Sequence, residues 1–587
     1  MLALVLSLLL VSPGAFAVVQ RVVISVPQPQ QLRALAADGR LDILRVTRGR
    51  DVECFADDKV VAEYQAQGCA VTVKLADAPA YYRQLMARMR GGKYAFGPYY
   101  TYPVANQKMD SLHLLYPSLV AAKESLGVTR LGKKIYGFSL TAAAAGKPGV
   151  LYTGQHHARE PFGCNNAIEF ARYLGQHYGT DSLVTFLVNN RQFWFIPIVN
   201  VDGSIYNSDT SADGMWRKNR RNNGDGTIGV DLNRNYPYRW GYDNVGSSPT
   251  SSDETYRGPS AGSEPEVQAE MNLMASKGFF RTALNYHTYS NLWVLPWSWS
   301  DSYPADSAAI VDLAIEATSY NGFTWGTPSQ TVGYTVNGDA NDWSLQTESK
   351  AWKCLGMTPE VGGSDFYEPD SVQLELASNL IPNLLVAEAA GVYLDARTTA
   401  ISGGNGNSAL DPGETANLAL TLKNEAVFDT ARNVSTTISS ADPYVTINTP
   451  TAAYGDLTNR QAKANGGTPF VVTLDAGCPV GHRVLFWARI TADSGYVSSD
   501  SFSVTAGVGD LHYQPTPDNS AGSPLYYAVE DSDAASRAPA YSWAEIRGIG
   551  TRLLGGDDST KTVTLPFTFR WYGTGYTTLS ACSNGWI

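Results

Sequence analysis

The chain has 587 residues, which is more than one hydrophobic core accommodates, so about three or four domains are expected. Its apolar fraction of 44% and charged fraction of 17% are those of an ordinary globular protein. The formal net charge of −11 argues against a general nucleic-acid-binding protein, because such a protein presents a basic surface.

Residues 1–17 have the pattern of a secretory signal peptide. An apolar run at 2–11 is followed by Ala15-Phe16-Ala17, which is a small-x-small cleavage signal. The pattern departs from the usual one in lacking a lysine or arginine near Met1. No later stretch reaches the length of a membrane span. We therefore expect a secreted protein without a membrane span.

Residues 18–94 are predicted to form a small ferredoxin-like α+β unit. Its strand-like and helical runs follow in the order βαββαβ, at 22–26, 29–37, 41–55 (which contains two strand-like runs), 58–67 and 70–74. A small unit between a signal peptide and a large domain is often a pro-segment, and we interpret it as one. A permanent accessory domain is the alternative. Arg83, Arg88, Arg90 and Lys93 are expected in an exposed connector that a protease could cut.

Residues 95–394 are predicted to form an α/β domain whose mixed central sheet is covered by helices on both faces. Apolar strands alternate with helices, and the strands are expected at 150–153, 192–199, 282–286 and 293–295. One amphipathic helix is predicted at 108–126, and another, at 374–392, is expected to end the domain.

The composition changes after residue 394, where glycine, serine, threonine, asparagine and aspartate dominate. Short strands at regular spacing predict an immunoglobulin-like β-sandwich over residues 395–508. A further β module is expected to begin within residues 509–587, with a strand at 561–572. Because the sequence stops inside a turn-to-strand signal, we expect this module to be truncated.

Six cysteines are too few for a disulfide scaffold in so long a chain. Cys54 could pair with Cys69, and Cys164 with Cys354, but the sequence leaves both pairings open. None of the six has the spacing of a zinc-thiolate site.

A histidine and a carboxylate, His157 and Glu160, follow the apolar run at 150–153. At this spacing both can bind one metal ion from a single turn of backbone, and zinc accepts this pair. Alone, the pattern is common by chance. A catalytic zinc site needs a third protein ligand and an open position for water.

The third ligand must come from the remaining histidines. His113 and His177 lie on predicted helices, and His482 and His512 fall in the C-terminal modules. His287 ends an apolar strand, where α/β sheets place ligands, and it completes a His2Glu set. His156 is then expected to be a neighbour that lines the site.

The central domain resembles the zinc metallocarboxypeptidases of the A, B and T type over roughly residues 99–393. The stretch Tyr256-Arg257-Gly258-Pro259-Ser260 looks most like bacterial carboxypeptidase T. The matching motifs follow the family's order: His157-Ala158-Arg159-Glu160, Asn200-Val201-Asp202-Gly203, Trp216-Arg217, Asp231-Leu232-Asn233-Arg234-Asn235, His287-Thr288-Tyr289, Tyr334, Asp342-Trp343 and Glu360.

The resemblance implies one zinc ion held by His157, Glu160 and His287. It implies that Glu360 acts as general base toward the attacking water and then gives the proton to the leaving amine. Arg217 would stabilise the oxyanion of the tetrahedral intermediate. Asp231 would orient His157 from behind the site, although a purely structural aspartate is the alternative.

The resemblance also implies a binding site for the free C-terminus of a peptide or protein. Asn233 and Arg234 match the clamp for the terminal carboxylate, and Tyr334 would close over it. Arg159 and Tyr289 would be secondary substrate-binding residues.

Asn341 occupies the position that forms the base of the family's specificity pocket. That base is apolar in enzymes that prefer hydrophobic ends and acidic in those that prefer lysine or arginine. A neutral polar base departs from both patterns, so we expect a broad preference. Val294 and Val336 are expected to line an apolar wall, and Asp339 lies two residues before the base.

Two glycine-broken, oxygen-rich stretches, at 223–227 and 404–414, resemble calcium loops without matching the EF-hand pattern. Ordinary polar turns are the favoured interpretation, so calcium is only weakly supported.

We therefore expect a secreted zinc carboxypeptidase, with C-terminal modules that could associate it with a cell surface. One alternative is a zinc hydrolase of the same fold for a specialised substrate such as a peptidoglycan peptide. The other is a non-catalytic surface-binding protein, whose signature would be loss of Glu360, Arg217 or a metal ligand.

Overall fold

The computed structural model describes residues 18–28, 31–36, 38–47, 50–90, 96–209, 213–507, 560–571 and 574–582. The chain divides into two units. The first comprises the described residues up to Tyr393 together with 425–430, and the second comprises 394–424 and the described residues from 431 onward. The predicted signal peptide lies outside the described residues, as does most of the predicted last module.

The first unit begins with a four-stranded antiparallel sheet in the strand order β2-β3-β1-β4. Its elements are β1 (Val19–Ser25), α1 (Leu32–Ala36), β2 (Asp42–Thr47), β3 (Asp51–Asp57), α2 (Asp58–Ala66), β4 (Ala70–Leu75) and α3 (Ala78–Arg90). The first six elements follow the order βαββαβ expected for the ferredoxin-like unit, and α3 follows them. We refer to residues 18–90 as the N-terminal module.

Helix α3 replaces the exposed connector that was expected around Arg83, Arg88 and Arg90. Four of its side chains recur at helical spacing and are buried: Tyr82, Leu85, Met86 and Met89. This apolar stripe stabilises α3. The three arginines therefore lie on a helix, and the prediction of a connector was wrong. Lys93 lies outside the described residues.

The central domain, residues 96–393, is built on an eight-stranded mixed sheet in the order β11-β10-β12-β9-β7-β8-β6-β5. Its strands are β5 (Glu124–Val128), β6 (Lys134–Leu140), β7 (Gly149–Gly154), β8 (Gln192–Ile196), β9 (Phe280–Tyr286), β10 (Leu292–Val294), β11 (Thr324–Gly326) and β12 (Leu355–Glu360). Its helices are α4 (Tyr102–Leu115), α5 (Phe162–His177), α6 (Ser182–Asn190), α7 (Val201–Ser208), α8 (Pro265–Lys277), α9 (Ser307–Asn321), α10 (Ala340–Leu345), α11 (Val372–Ser378) and α12 (Leu380–Ala389). The predicted α/β class is confirmed.

The helix expected at 108–126 is α4, which begins at Tyr102 and ends at Leu115. Pro103 lies in the first turn of α4, where a missing N–H leaves no hydrogen bond unmade. Pro117 cannot continue the helix, because it lacks an N–H and its ring clashes with the preceding turn. The chain then forms β5, so residues 124–126 are strand.

Strands β7, β9 and β12 run parallel to one another at the centre of the sheet. All six residues of β7 are buried, as expected for a strand covered on both faces. Parallel strands bring their carboxyl ends to one edge, and α/β proteins bind ligands there. The residues after β7, the residues after β9 and the last residue of β12 therefore meet.

Neither of the two possible disulfides is present, and Cys54, Cys69, Cys164 and Cys354 are free thiols. Strand β1 lies between β3, which carries Cys54, and β4, which Cys69 precedes. Two strand spacings are about 9–10 Å, which exceeds the reach of a disulfide. Cys164 follows the carboxyl end of β7, whereas Cys354 precedes the amino end of β12, so these two lie toward opposite edges of the sheet.

The second unit contains two antiparallel sheets, in the orders β13-β14-β19-β16, with β18 paired to β14, and β17-β15-β20-β21. The strands are β13 (Leu394–Gly403), β14 (Thr415–Asn424), β15 (Ala431–Ser439), β16 (Val445–Thr449), β17 (Thr451–Leu457), β18 (Ala462–Ala464), β19 (Phe470–Leu474), β20 (Arg483–Ala492) and β21 (Tyr496–Thr505). Alternate residues of β14 and β20 are buried, which gives the pattern of a sheet with one face toward a core.

Two further strands, β22 (Thr560–Trp571) and β23 (Thr574–Cys582), pair as an antiparallel hairpin. Among the described residues, no helix is both long and apolar enough to cross a membrane.

Candidate active site

Three metal-binding side chains converge at the carboxyl edge of the sheet. Glu160 Oε1 lies 2.9 Å from His157 Nδ1, Glu160 Oε2 lies 2.8 Å from His287 Nδ1, and the two Nδ1 atoms are 3.0 Å apart. Three ligands of a tetrahedral zinc ion with bonds of about 2.0–2.1 Å lie about 3.3 Å apart, so the spacing fits zinc closely. Within the part of the chain that the structure describes, this is the only group of three such residues.

The backbone around β7 aims two of these ligands at the same point. At the strand end Gly154 packs directly against Gly163, and a Cβ on Gly154 would lie 2.5 Å from the Gly163 carbonyl carbon. This close approach fixes the loop carrying His157 and Glu160 against the start of α5. His287 follows β9, the neighbouring strand.

The donor chemistry also suits a metal cation. Burial lowers the pKa of His287 to about 4, so its ring is neutral and can bind through a nitrogen lone pair. Although burial alone would raise the pKa of the Glu160 carboxyl, the two histidines hold it below the ordinary range. Zinc binding requires these two forms, a neutral imidazole and a carboxylate.

Asp231 lies behind His157, as predicted. Its Oδ1 is 3.1 Å from His157 Nε2, and the same carboxylate accepts a 2.8 Å hydrogen bond from Arg217 Nη2. Burial would raise the pKa of Asp231, but Arg217 and His157 hold it well below the ordinary range. An ionised acceptor on Nε2 leaves Nδ1 of His157 facing the metal position.

Glu360 ends β12 beside His287, whose backbone N–H donates to the Pro359 carbonyl at 3.0 Å. No described residue donates a hydrogen bond to the Glu360 carboxylate. Burial raises its pKa well above the ordinary range, and the Glu160 carboxylate adds to the rise. A raised pKa makes the Glu360 carboxylate a stronger proton acceptor than an ordinary glutamate.

Two arginines present their charge to the same space. Arg234 Nη1 donates to the Asn233 carbonyl at 2.9 Å, while Arg234 Nε has no partner among the described residues. Asn233 Oδ1 accepts from the backbone N–H of Ala340 at 3.0 Å, which fixes the Asn233 side chain. Arg217 approaches Glu160 at 3.8 Å through Nη1.

A cavity of ≈ 70 Å³ joins these groups. Every predicted site residue except Asp231 lines it: His157, Arg159, Glu160, Arg217, Asn233, Arg234, His287, Tyr289, Tyr334, Asn341 and Glu360. His156, expected to line the site, lies behind it instead. Its ring stacks on that of His287 at 5.6 Å, and its Nε2 is 2.9 Å from the Tyr236 hydroxyl.

Each polar atom of the Asn341 amide has a hydrogen-bond partner among its neighbours. Asn341 Nδ2 donates to Thr358 Oγ1 at 2.9 Å, and its Oδ1 accepts from Asn285 Nδ2 at 2.7 Å. Sequence reasoning missed both partners. Asn285 precedes His287 by two residues and Thr358 precedes Glu360 by two, and this period-2 spacing could have pointed to them.

Asp339 borders the same end of the cavity, with Val294 and Val336. Its carboxylate accepts from Ser298 Oγ at 2.6 Å and from the backbone N–H of Asp342 at 3.1 Å. Burial raises the pKa of Asp339 to about 6. The pocket therefore has an apolar wall and a polar base whose hydrogen bonds are satisfied internally.

The N-terminal module covers the cavity. Ile43 and Leu44 of β2 line it from outside the central domain. Asp42 binds Arg159 through two hydrogen bonds, one of 2.9 Å from Nη2 and one from Nη1. Arg21 of β1 donates to the Tyr289 hydroxyl at 2.7 Å. Two predicted substrate-binding residues are thus occupied by this module, which sequence reasoning did not reveal.

The candidate calcium loops satisfy their own oxygen atoms. Asp225 accepts from Thr227 and from Ser251, and Asp411 accepts from the amides of Asn405 and Asn407. These are the hydrogen bonds of ordinary polar turns.

Comparison with known proteins agrees with this geometry. A sequence model of the family described as "Zinc carboxypeptidase" matches residues 105–379, and one described as "NIDO related" matches 535–587. Carboxypeptidase A2 of Rattus norvegicus is 31% identical over 263 residues, which are 44% of this chain and 62% of that protein. Carboxypeptidase B of Homo sapiens is 29% identical over 269 residues, which are 44% of this chain and 63% of that protein.

The chain thus spans less than two thirds of the length of these relatives. Among solved structures, a carboxypeptidase A from Helicoverpa armigera has a TM-score of 0.56 at 18% identity, covering 64% of this chain and 98% of that chain. Thrombin activatable fibrinolysis inhibitor has a TM-score of 0.53 at 22% identity, covering 63% and 98%. At these identities the likeness concerns the fold. The chain therefore carries, over residues 105–379, a domain of the zinc carboxypeptidase family.

Proposed function

We propose that this protein is a secreted, zinc-dependent carboxypeptidase that releases the last residue from peptides and proteins. The observation that carries the proposal is the convergence on one cavity of three zinc ligands, a free carboxylate and two arginines. Secretion rests on residues 1–17, which lie outside the described residues.

His157, Glu160 and His287 would hold the zinc ion. When bound there, zinc supplies a Lewis acid that polarises water and the scissile carbonyl group. Glu360 takes a proton from the water as its oxygen attacks the carbonyl carbon. It then delivers that proton to the nitrogen as the C–N bond breaks. Arg217 donates hydrogen bonds to the carbonyl oxygen as negative charge develops on it.

Arg234, Asn233 and Tyr334 hold the free C-terminus. The guanidinium of Arg234 is buried and charged, and a carboxylate is the group that pairs with it through two parallel hydrogen bonds. A bond inside a polypeptide brings no such carboxylate and would leave the guanidinium of Arg234 without a bidentate partner. The site therefore favours chain ends over internal bonds.

Asn341 and the valine wall support a broad preference for the C-terminal side chain. The Asn341 amide is held by Thr358 and Asn285, so its orientation is fixed and it offers no charge to select an acidic or a basic side chain. Peptides ending in Phe, Leu, Arg and Glu test this point. Comparable kcat/KM values are expected for several of these peptides, and one strongly preferred ending would contradict a broad preference.

The N-terminal module acts as a pro-segment. It engages Arg159 through Asp42 and Tyr289 through Arg21, so a long substrate cannot reach either residue while the module is in place. Cleavage between Arg90 and Phe96 and loss of the module would open the site. A permanent accessory domain would instead leave activity unchanged after such cleavage.

The experiment that tests the function compares two forms of one peptide, with a free C-terminus and with an amidated one. Zinc-loaded protein, cleaved between Arg90 and Phe96, should release the last residue from the free form only. Arg234→Gln should raise KM for that form. Release of internal fragments from the amidated form would contradict an exopeptidase.

A further inference from the structure

Arg21 of the N-terminal module extends its guanidinium group into the central domain. It is 9% exposed, and Nε donates to Glu53 of its own module at 2.8 Å. Nη2 donates to the Tyr289 hydroxyl at 2.7 Å and to the Ser364 carbonyl at 2.9 Å. Asp365 lies 3.6 Å from Nη1, and the guanidinium carbon lies 5.2 Å from the centre of the Tyr289 ring.

The central-domain groups that contact Arg21 are positioned by other residues of the central domain. Glu368 accepts backbone hydrogen bonds from Gly363 at 3.1 Å, from Ser364 at 2.7 Å and from Asp365 at 3.1 Å. The Tyr289 ring packs edge-on against Phe366 at 5.2 Å. The Glu368 hydrogen bonds lie within the central domain, so they can hold the loop at 363–368 when the module leaves, although Phe366 also stacks on Phe55 of the module at 6.4 Å.

Departure of the module would leave the Asp365 carboxylate short of partners. In the intact chain it accepts a 2.7 Å hydrogen bond from Tyr82 of α3 and faces Arg21. Both groups belong to the N-terminal module. What remains is a carboxylate, a carbonyl oxygen and a phenol beside an aromatic face. That set matches the donors and charge of a guanidinium or ammonium group.

The position of Tyr289 relates this site to the reaction. Tyr289 follows the metal ligand His287 by two residues, and it lines the cavity that contains Glu360. The last residue of a substrate is already held by Arg234 and the pocket around Asn341. Groups near Tyr289 are therefore available to the residues that precede the scissile bond.

We propose that Tyr289, Ser364 and Asp365 form a cation subsite, which Arg21 occupies in the intact chain. In the processed enzyme it binds a lysine or arginine side chain located upstream of the scissile bond. This inference rests on the proposed carboxypeptidase function and names a substrate class for it: peptides with a basic residue shortly before their last residue. In the intact chain, Arg21 therefore occupies the position that a basic side chain of the substrate takes in the processed enzyme.

The test uses the zinc-loaded full chain, nicked with trypsin, after the trypsin has been inhibited and removed. Three peptide series share one C-terminal dipeptide and carry Arg, Ala or Glu at one of the next positions upstream. At the best position, kcat/KM for the Arg peptide should exceed that for the Ala peptide roughly tenfold, as expected for charge-assisted hydrogen bonds. The Glu peptide should be cleaved more slowly than the Ala peptide.

Asp365→Asn should bring the ratio of Arg to Ala peptide close to one. Asp370→Asn is the matched control, because Asp370 is an exposed carboxylate on the same segment, and it should leave the ratio as it is. Raising the salt concentration should lower the ratio in the unmodified enzyme, which needs no variant to fold.

Cleavage of the Ala peptides with no preference for Arg at any position would overturn the cation subsite and leave the carboxypeptidase function standing. A preference that survives both Asp365→Asn and high salt would also overturn it. If no peptide of any series lost its last residue, the proposed function would fail and the subsite with it.

Discussion

Replacing Asp42 by asparagine is expected to release the N-terminal module from the active site. Asp42 and Arg159 form a two-hydrogen-bond ion pair whose side chains are 13% and 3% exposed. Removing one partner of a buried pair costs about 3–5 kcal/mol, because the other charge stays buried and unpaired. Asparagine keeps some hydrogen bonding, so about 3 kcal/mol is the appropriate figure. This value shifts the equilibrium between the seated and displaced module roughly 100-fold.

The assay measures hydrolysis of a short peptide by the zinc-loaded, uncleaved chain. Activity of Asp42→Asn should rise by up to about 100-fold, with the activity of the cleaved enzyme as its ceiling. The matched control is Glu63→Gln, which breaks the exposed pair of Glu63 with Arg40. Exposed pairs contribute little, so this change should stay below about fivefold. Equal effects of the two substitutions, with cleavage still activating the enzyme, would refute the reasoning.

Substitutions at three further positions test the oxyanion contact, the buried Glu266 and the specificity pocket. Arg217→Ala should lower kcat about 100- to 1,000-fold, with Arg217→Lys restoring part of it, because the lost donor acts on charge that appears only during the reaction. Glu266→Gln should flatten the pH dependence of urea unfolding. Burial raises the pKa of Glu266 from its ordinary 4.5 to about 8, so the folded state holds a proton that the unfolded chain releases, and the free energy of unfolding falls as pH rises through that window. Asn341→Asp should shift the ratio of kcat/KM for C-terminal Arg over Leu upward by at least about tenfold, because it places a carboxylate at the base of the pocket.

The three side chains that could hold a metal ion were identified in the sequence because each lies next to a strong local signal. His157 and Glu160 follow an apolar run, and His287 ends another; parallel strands then bring both ends to one edge of the sheet. Glu360, which ends β12, was indicated by the family resemblance and not by this reasoning. The family resemblance added the roles of Arg217, Arg234 and Tyr334, which spacing alone does not give. Those roles stay predictions.

The contacts of the N-terminal module could not be predicted from local patterns. Arg21 and Asp42 lie on ordinary strands, and their partners are 268 and 117 residues away in sequence. Only the docking of one module on another brings these charges together. The cysteine pairings were left open by the sequence for a related reason, since the order of strands in a sheet determines which residues are neighbours, and spacing in sequence does not.

The most direct test of the central claim is the release of C-terminal residues by the zinc-loaded, cleaved enzyme and by its Glu360→Gln variant, with zinc content measured in both. Both proteins should bind one zinc ion. Only the unmodified enzyme should release residues at an appreciable rate, because the variant lacks the proton acceptor. The central claim would be contradicted if neither protein released a residue from any peptide while zinc was bound. Equal rates in the two proteins would likewise remove Glu360 from the mechanism.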